Sequence, residues 1–243
     1  MINALIFDFG GTLDTHGDHW SKVMWKAYLH LGILNVSQEE DFRQAYVFVE
    51  RTLGNGYIIR SNYTFKLTLD VKLRLQLEYM VTHGILDIKD KKDFQDIHQQ
   101  LHLYLYEEVQ CKVRESGEVL APIAEQYPMA LVTNFYGNMQ MVLREMHLQH
   151  LFQYVVESAV VGIRKPDPAI FRQAIDRLGV DPKEVLVVGD SMKNDIIPAK
   201  QCGCCTCWLK GAGWENVTNT VSDHTVSDYT ITDIHQLGSV ILY

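Results

Sequence analysis

Asn3-Ala4-Leu5-Ile6-Phe7-Asp8-Phe9-Gly10-Gly11-Thr12-Leu13-Asp14 decides the fold. Its apolar run is short and unbroken, the pattern of a strand buried on both faces of a parallel sheet. The run stops at a carboxylate, Asp8. Open α/β sheets bind ligands at the C-terminal edge of such strands. Gly10 and Gly11 permit a tight turn there, with backbone N–H groups facing an anion, and Thr12 adds a hydroxyl. The stretch reads as a nucleophile beside a phosphate cradle. A plain strand and glycine turn would look the same on these residues alone.

Outward from this stretch the pattern divides. Residues 18–115 show helical spacing almost throughout. Trp20, Val23, Met24, Ala27, Tyr28 and Leu31 form one apolar face, with Gly32 as its stop. Ser37-Gln38-Glu39-Glu40 reads as a capping box, Gly54-Asn55-Gly56 as a break, and 61–83 and 90–113 as two further helices. From residue 117 strands and helices alternate. Strands are expected at 129–132, 152–156, 184–188, 204–209 and 229–231, and helices at 137–148, 166–178, 193–201 and 233–241. The expected fold is α/β: a Rossmann-like parallel sheet core, residues 1–15 and 117–243, with an all-helical domain, 16–116, inserted after the first strand.

Composition narrows the function. A net charge of -8 argues against nucleic-acid binding, which needs clustered lysine and arginine. No apolar run is long enough to span a membrane, and no basic leader precedes one at the N-terminus, so a cytoplasmic protein is expected. Four of five cysteines cluster at 202, 204, 205 and 207 without zinc-site spacing. They read as small apolar residues of a strand after a turn at Gly203.

Three strands end in polar groups: Asp8, Thr133-Asn134 and Asp190. Asp195 follows five residues after Asp190, so the sheet edge gathers three carboxylates that would raise one another's pKa values. Mg²⁺ with oxygen ligands resolves that and suits a site shared with phosphate. Lys165, before Pro166-Asp167-Pro168, could reach the same edge. Singly, Asp190 and Asp195 could be helix-start acids and Lys165 a solvated loop lysine.

Taken in order, these elements resemble the haloacid dehalogenase-like hydrolase superfamily. The first motif, D-x-D-x-T, is matched by Asp8-Phe9-Gly10-Gly11-Thr12, the second by Thr133, the third by Lys165-Pro166-Asp167-Pro168 and the fourth by Gly189-Asp190 through Asp195. The helical insert resembles the family's C1 cap, and the stretch 134–164 is too short for a C2 cap. The resemblance implies a phosphatase acting on a small phosphorylated metabolite. Asp8 would form an aspartyl-phosphate, Gly11, Thr12, Thr133 and Asn134 would hold the phosphate, and Lys165 would stabilise charge. Mg²⁺ would sit among Asp8, the Gly10 carbonyl, Asp190 and Asp195.

One position departs. The family's phosphatases carry their general acid where this chain has Gly10. The proton then comes from elsewhere, such as Asp14, His16 or a cap side chain, or the substrates have good leaving groups. A phosphonate hydrolase also lacks that Asp and uses a cap lysine, but residues 27–65 contain none, which leaves Lys22, Lys26 and Lys66. A 2-haloacid dehalogenase would have no use for Asp190 and Asp195. A phospho-ligand-binding protein without turnover is the non-enzymatic alternative. Trp20, Trp25, Phe48, Tyr57 and Tyr63, with Arg51 and Arg60, are the cap residues that could shape a substrate pocket, although aromatic residues at helical spacing often form core. Oligomeric state is not readable from the sequence.

Overall fold

β1 (Ala4–Phe7) is the centre of a six-stranded, all-parallel sheet. Its neighbours are β2 (Met129–Thr133) and β4 (Val185–Gly189). β3 (Tyr154–Glu157) lies outside β2, and β5 (Cys205–Leu209) and β6 (Tyr229–Ile231) continue beyond β4. The computed structural model describes residues 1–55, 58–213 and 227–241.

Every residue of β1, β2 and β4 is buried, because helices cover both faces. Side chains alternate between the faces. Ala4 and Ile6 join Val132, Val187 and the apolar side of α7 (Ala169–Leu178), while Leu5 and Phe7 join Leu131 and Val188 on the opposite face. Between β1 and β2 the chain is helical: α1 (Trp20–His30), α2 (Glu39–Gly54), α3 (Phe65–Thr82) and α4 (Lys91–Ala124). The shorter helices α5 (Met139–Glu145), α6 (Ser158–Val161), α8 (Ile197–Gln201) and α9 (Leu237–Ile241) connect or close the strands. The Rossmann-like parallel sheet with its helical insertion is as the sequence implies.

Several boundaries differ from expectation. The capping box lies earlier, at Asn35 and Gln38, where it starts a 3₁₀ turn; α2 follows directly with no side-chain cap of its own. α4 passes the expected stop at 113 and runs through residue 116, because Val109, Val113, Ser116, Leu120 and Ile123 keep one buried face. Gly117 does not end it; a Cβ there would lie 3.1 Å from Leu148, so the glycine serves close packing. α7 starts at Ala169 rather than Pro166, and a π turn over Met192–Ile196 replaces the first half of the helix expected at 193–201. The cysteine cluster sits on β5 and the turn before it, with Cys204 and Cys207 buried and their thiols pushed up to about 12 by burial.

Two contacts place the helical block over the sheet edge. Glu145 of α5 accepts from the Phe65 and Lys66 N–H groups at the start of α3 and from the Tyr106 hydroxyl of α4. Asn138 donates to Tyr63 O at 2.8 Å and Thr68 Oγ1 at 2.9 Å. At the β1 turn the two glycines have different roles. Gly11 has φ +99°, and a Cβ on it would lie 2.5 Å from the Asp190 carboxylate oxygens. Gly10 shows no left-handed φ, and a Cβ there would meet nothing within 4 Å.

Gly11→Ala should therefore destabilise the protein by about 1–3 kcal/mol, the scale of backbone strain, whereas Gly10→Ala should stay within about 0.5 kcal/mol. Paired thermal melts check this, and equal midpoints would refute it. Glu145→Ala should cost about 1–2 kcal/mol, as a lost helix cap does, read from the denaturation midpoint.

Candidate active site

The C-terminal edge of the sheet holds Asp8 after β1, Thr133 at the end of β2 and Asp190 after β4. Asp8 N–H donates to Val188 O at 3.1 Å, so β1 and β4 stay in register up to the carboxylate. Thr133 is buried, and among the described residues its hydroxyl has no partner within the protein.

Lys165 ties this edge together. It is 4% exposed, and its Nζ lies 2.8 Å from Asp8 Oδ1, 2.6 Å from Asp195 Oδ1 and 3.1 Å from Val132 O. The ammonium donates hydrogen bonds to Asp195 Oδ1 and Val132 O and pairs with Asp8 by charge. Burial works against its charge, but Asp195 and Asp8 outweigh burial and hold its pKa above the ordinary lysine value. Its backbone is clamped by Asn134, whose Oδ1 accepts from Lys165 N–H and whose Nδ2 donates to Lys165 O, both at 3.0 Å.

The carboxylates strain against one another. Burial, then the charges of Asp195 and Asp8, push Asp190 well above the ordinary carboxylate range. Burial also lifts Asp195, to about 6, with Lys165 opposing. Asp8, Asp190 and Asp195 each place an oxygen within 4.8 Å of the others. Three acids crowded with one ammonium fit a hard divalent cation. Asp195 is the most engaged of them, since Lys165 takes Oδ1 and the Ser191 N–H takes Oδ2 at 3.0 Å.

Three residues expected to hold phosphate are engaged within the protein. The Gly11 N–H donates to Asp14 Oδ1 at 2.7 Å, because the buried Asp14 carboxylate must find donors and takes this one together with Trp20 Nε1 at 2.8 Å. Burial, the largest influence, lifts Asp14 to about 7. The Thr12 hydroxyl donates to Asp190 Oδ1 and accepts from Asp190 N–H, both at 3.0 Å, which fixes Asp190. The Asn134 side chain holds Lys165. In the structure these groups bond to Asp14, Asp190 and Lys165 around the site.

Above the edge lies a cavity of about 170 Å³ between sheet and helical block. Gly10, Asn134 and Tyr136 line it from below, and Trp20, Glu50 and Lys72 from above. Glu50 of α2 and Lys72 of α3 form an ion pair, and the Tyr136 hydroxyl donates to Glu50 Oε2 at 2.9 Å. The Lys72 ammonium sits over the rings of Trp20 and Tyr46, 5.2 Å from each centroid. Sequence reading missed Lys72. The available signal was a lysine on the otherwise buried face Phe65, Thr68, Leu69, Leu73, Gln76 and Leu77 of α3. The lysines it named lie elsewhere: Lys22 pairs with Glu39, Lys26 with Asp18, and Lys66 covers Tyr106. Of the named cap aromatics, Trp20 lines the cavity, Trp25 packs on Phe42 and Phe48 on Tyr79 at the surface; Tyr57 lies outside the described residues. Arg51 lines a separate groove on the helical block and Arg60 is exposed.

Among the described residues no helix is long and apolar enough to cross a membrane. The model of the haloacid dehalogenase-like hydrolases matches residues 2–203. A phosphoglycolate phosphatase of Aliivibrio fischeri is 28% identical over 213 residues, 84% of this chain and 82% of that protein. A glyceraldehyde 3-phosphate phosphatase of Pyrococcus abyssi is 33% identical over 102 residues, 42% of this chain and 40% of that protein. A phosphoserine phosphatase of Thermus thermophilus is 39% identical over 82 residues, 33% of each. In fold, the chain is similar to the magnesium-bound HAD-hydrolase YfnB of Bacillus subtilis, with TM-score 0.61 at 18% identity, covering 100% of this chain and 99% of that one. The L-2-haloacid dehalogenase RSc1362 gives the same TM-score, 0.61, at 20% identity and the same coverage, 100% and 99%. With the family model spanning most of its length, the chain belongs to the haloacid dehalogenase-like hydrolases.

Proposed function

We propose that this hydrolase is a Mg²⁺-dependent phosphatase of small phosphomonoesters, with residues 1–15 and 117–243 as catalytic core and 16–116 as a C1-type cap. The observation that carries this reading is the buried Lys165 ammonium joining Asp8 to Asp195 beside Asp190. Asp8 attacks phosphorus and the leaving oxygen departs, giving an aspartyl-phosphate. A carboxylate needs no base for this, being ionised at neutral pH. Lys165 orients Asp8 through their ion pair and opposes charge on the phosphoryl oxygens. The buried Thr133 hydroxyl is available to a phosphoryl oxygen. Asp8, Asp190 and the Gly10 carbonyl would hold Mg²⁺, with Asp195 as ligand or as support to Lys165. When bound, the ion supplies positive charge against the phosphoryl group. Water then cleaves the intermediate and frees Asp8.

The cavity bounds the substrate. An engineered cavity of ~150 Å³ accepts benzene, so about 170 Å³ beside Gly10 suits a leaving group of a few heavy atoms. The relatives named for phosphoglycolate, glyceraldehyde 3-phosphate and phosphoserine point to the same class, small alkyl esters. One observation favours a second reading, phosphonate hydrolysis: a cap lysine, Lys72, shares the cavity with Gly10. Its pairing with Glu50 counts against it, because that chemistry needs a free amine.

A phosphate-release screen over small phosphomonoesters, with phosphonoacetaldehyde and 2-chloropropionate included, tests these readings. Turnover of at least one alkyl phosphate is expected with Mg²⁺, falling at least ~10³-fold in Asp8→Asn, the scale of losing a covalent nucleophile. Turnover that survives Asp8→Asn would sink the mechanism. Calorimetry should show Mg²⁺ binding by the wild type and its loss in Asp190→Ala; unchanged binding in that variant would remove Asp190 from the metal site.

A further inference from the structure

An alkyl leaving group needs a proton, and the β1 loop has no side chain at Gly10 to give one. The other groups near the edge are engaged or unsuited. Both Asp14 oxygens accept N–H bonds, from Gly11 and Trp20. His16 turns to α4, with Nε2 2.9 Å from both Lys112 O and Ser116 Oγ. His19 lines the cavity, but its Nδ1 accepts from Ser21 N–H, and burial, with the Lys72 charge, holds its pKa down at about 4, so the ring is neutral. The Tyr46 and Tyr136 hydroxyls are held well above the ordinary range, by burial first and then by Glu50.

Lys72 differs from all of these. It is the one lysine or arginine among the residues lining the cavity, and its side chain is 10% exposed. An ammonium carries three donors. Among the described residues its contacts are one carboxylate, Glu50, and two ring faces, those of Trp20 and Tyr46. A buried cation with N–H groups beyond its one acceptor, in the cavity that Gly10 also lines, calls for a ligand oxygen.

We propose that Lys72 protonates the leaving oxygen of the substrate, taking the place of the carboxylate absent at Gly10. The assignment rests on the phosphatase reading above. As the bond from Asp8 to phosphorus forms, the ester P–O bond breaks and its electron pair goes to the leaving oxygen. Lys72 passes a proton to that oxygen, giving the free alcohol and a neutral amine. An ammonium is a stronger acid than an alkyl alcohol, so the transfer runs downhill. In the second half a water oxygen bonds to phosphorus, Asp8 leaves as carboxylate, and the amine takes the water's proton. Lys72 returns as ammonium, and the net reaction is ester plus water to alcohol plus phosphate. Glu50 is the positioning residue that pairs with the ammonium in the cavity, and Tyr136 in turn holds Glu50.

Lys72→Arg separates charge from proton. Arginine keeps the positive charge and the pair with Glu50 but does not release a proton at working pH. With Mg²⁺ and saturating substrate, Lys72→Arg should cut kcat for 2-phosphoglycolate by about ten-fold or more, as general-acid loss does, and leave para-nitrophenyl phosphate within about three-fold, since that leaving group needs little protonation. Adding Gly10→Asp should restore most of the lost alkyl rate relative to Lys72→Arg alone. If Lys72→Arg melts early, the Lys72→Met/Glu50→Gln pair, which removes both charges together, is read the same way. Equal loss on both esters, a rise in KM with kcat intact, no rescue by Gly10→Asp, or Asp8-dependent turnover confined to aryl esters each overturns the role of Lys72 and leaves the phosphatase reading standing. Absence of any Asp8-dependent phosphate release overturns both.

Discussion

The ammonium of Lys165 is the interaction on which the site depends. Two carboxylates, Asp8 and Asp195, meet at a buried strand edge with Asp190 beside them. Without a cation, their mutual repulsion and desolvation would protonate at least one of them. Lys165 offsets part of this charge, and the remaining excess fits a divalent cation. Much of the surrounding structure serves that placement. Asn134 clamps the lysine backbone, Thr12 fixes Asp190, and Gly11 lets the β1 turn pass close to the Asp190 carboxylate. Breaking this network on one side leaves an uncompensated buried charge, so its members are coupled rather than additive.

A second layer connects the sheet edge to the helical block. The loop after β2 carries Asn134 and Tyr136 to the cavity and Asn138 to Tyr63 and Thr68 at the start of α3. Glu157, buried at the end of β3, accepts from Gly137 and Met139 N–H and so steadies that loop. One short segment therefore positions the Lys165 backbone, holds Glu50 and docks the helical block. The cavity floor and roof are fixed through the same few hydrogen bonds.

The core was legible because its signals are local. A buried strand reads as an apolar run, and a carboxylate at its end reads as a candidate ligand-edge group, so Asp8, Thr133, Lys165 and Asp190 were named from sequence and are brought to one edge by parallel pairing. What sequence does not carry is partner choice within the fold. Sequence cannot tell whether the Gly11 N–H meets a phosphate or Asp14, because Asp14 becomes a competitor only once folding buries it. The Asn134 amide, expected at the phosphate from the family motif, clamps the Lys165 backbone thirty-one positions away. Lys72 was hidden for a similar reason. Its spacing from Asp8 carries no periodic signal, and only its place on the buried face of α3 marks it.

Gly10 gives the site its particular character. Its backbone shows no left-handed φ and its Cβ direction is open, so neither strain nor crowding requires a glycine there. What the glycine does is leave room, which a carboxylate from the core would have filled. The polar groups facing that room come mainly from the helical block, with Glu50 and Lys72 on two different helices and Tyr136 joining them from the sheet side. A proton donor on the β1 loop is in place whenever β1 is folded. A donor on α3 is in place only when the helical block is docked over the edge, and that docking runs through Asn138 and Glu145. With Lys72 as the proposed acid, the chemistry at Asp8 would depend on those contacts between the helical block and the sheet edge as well as on β1 itself.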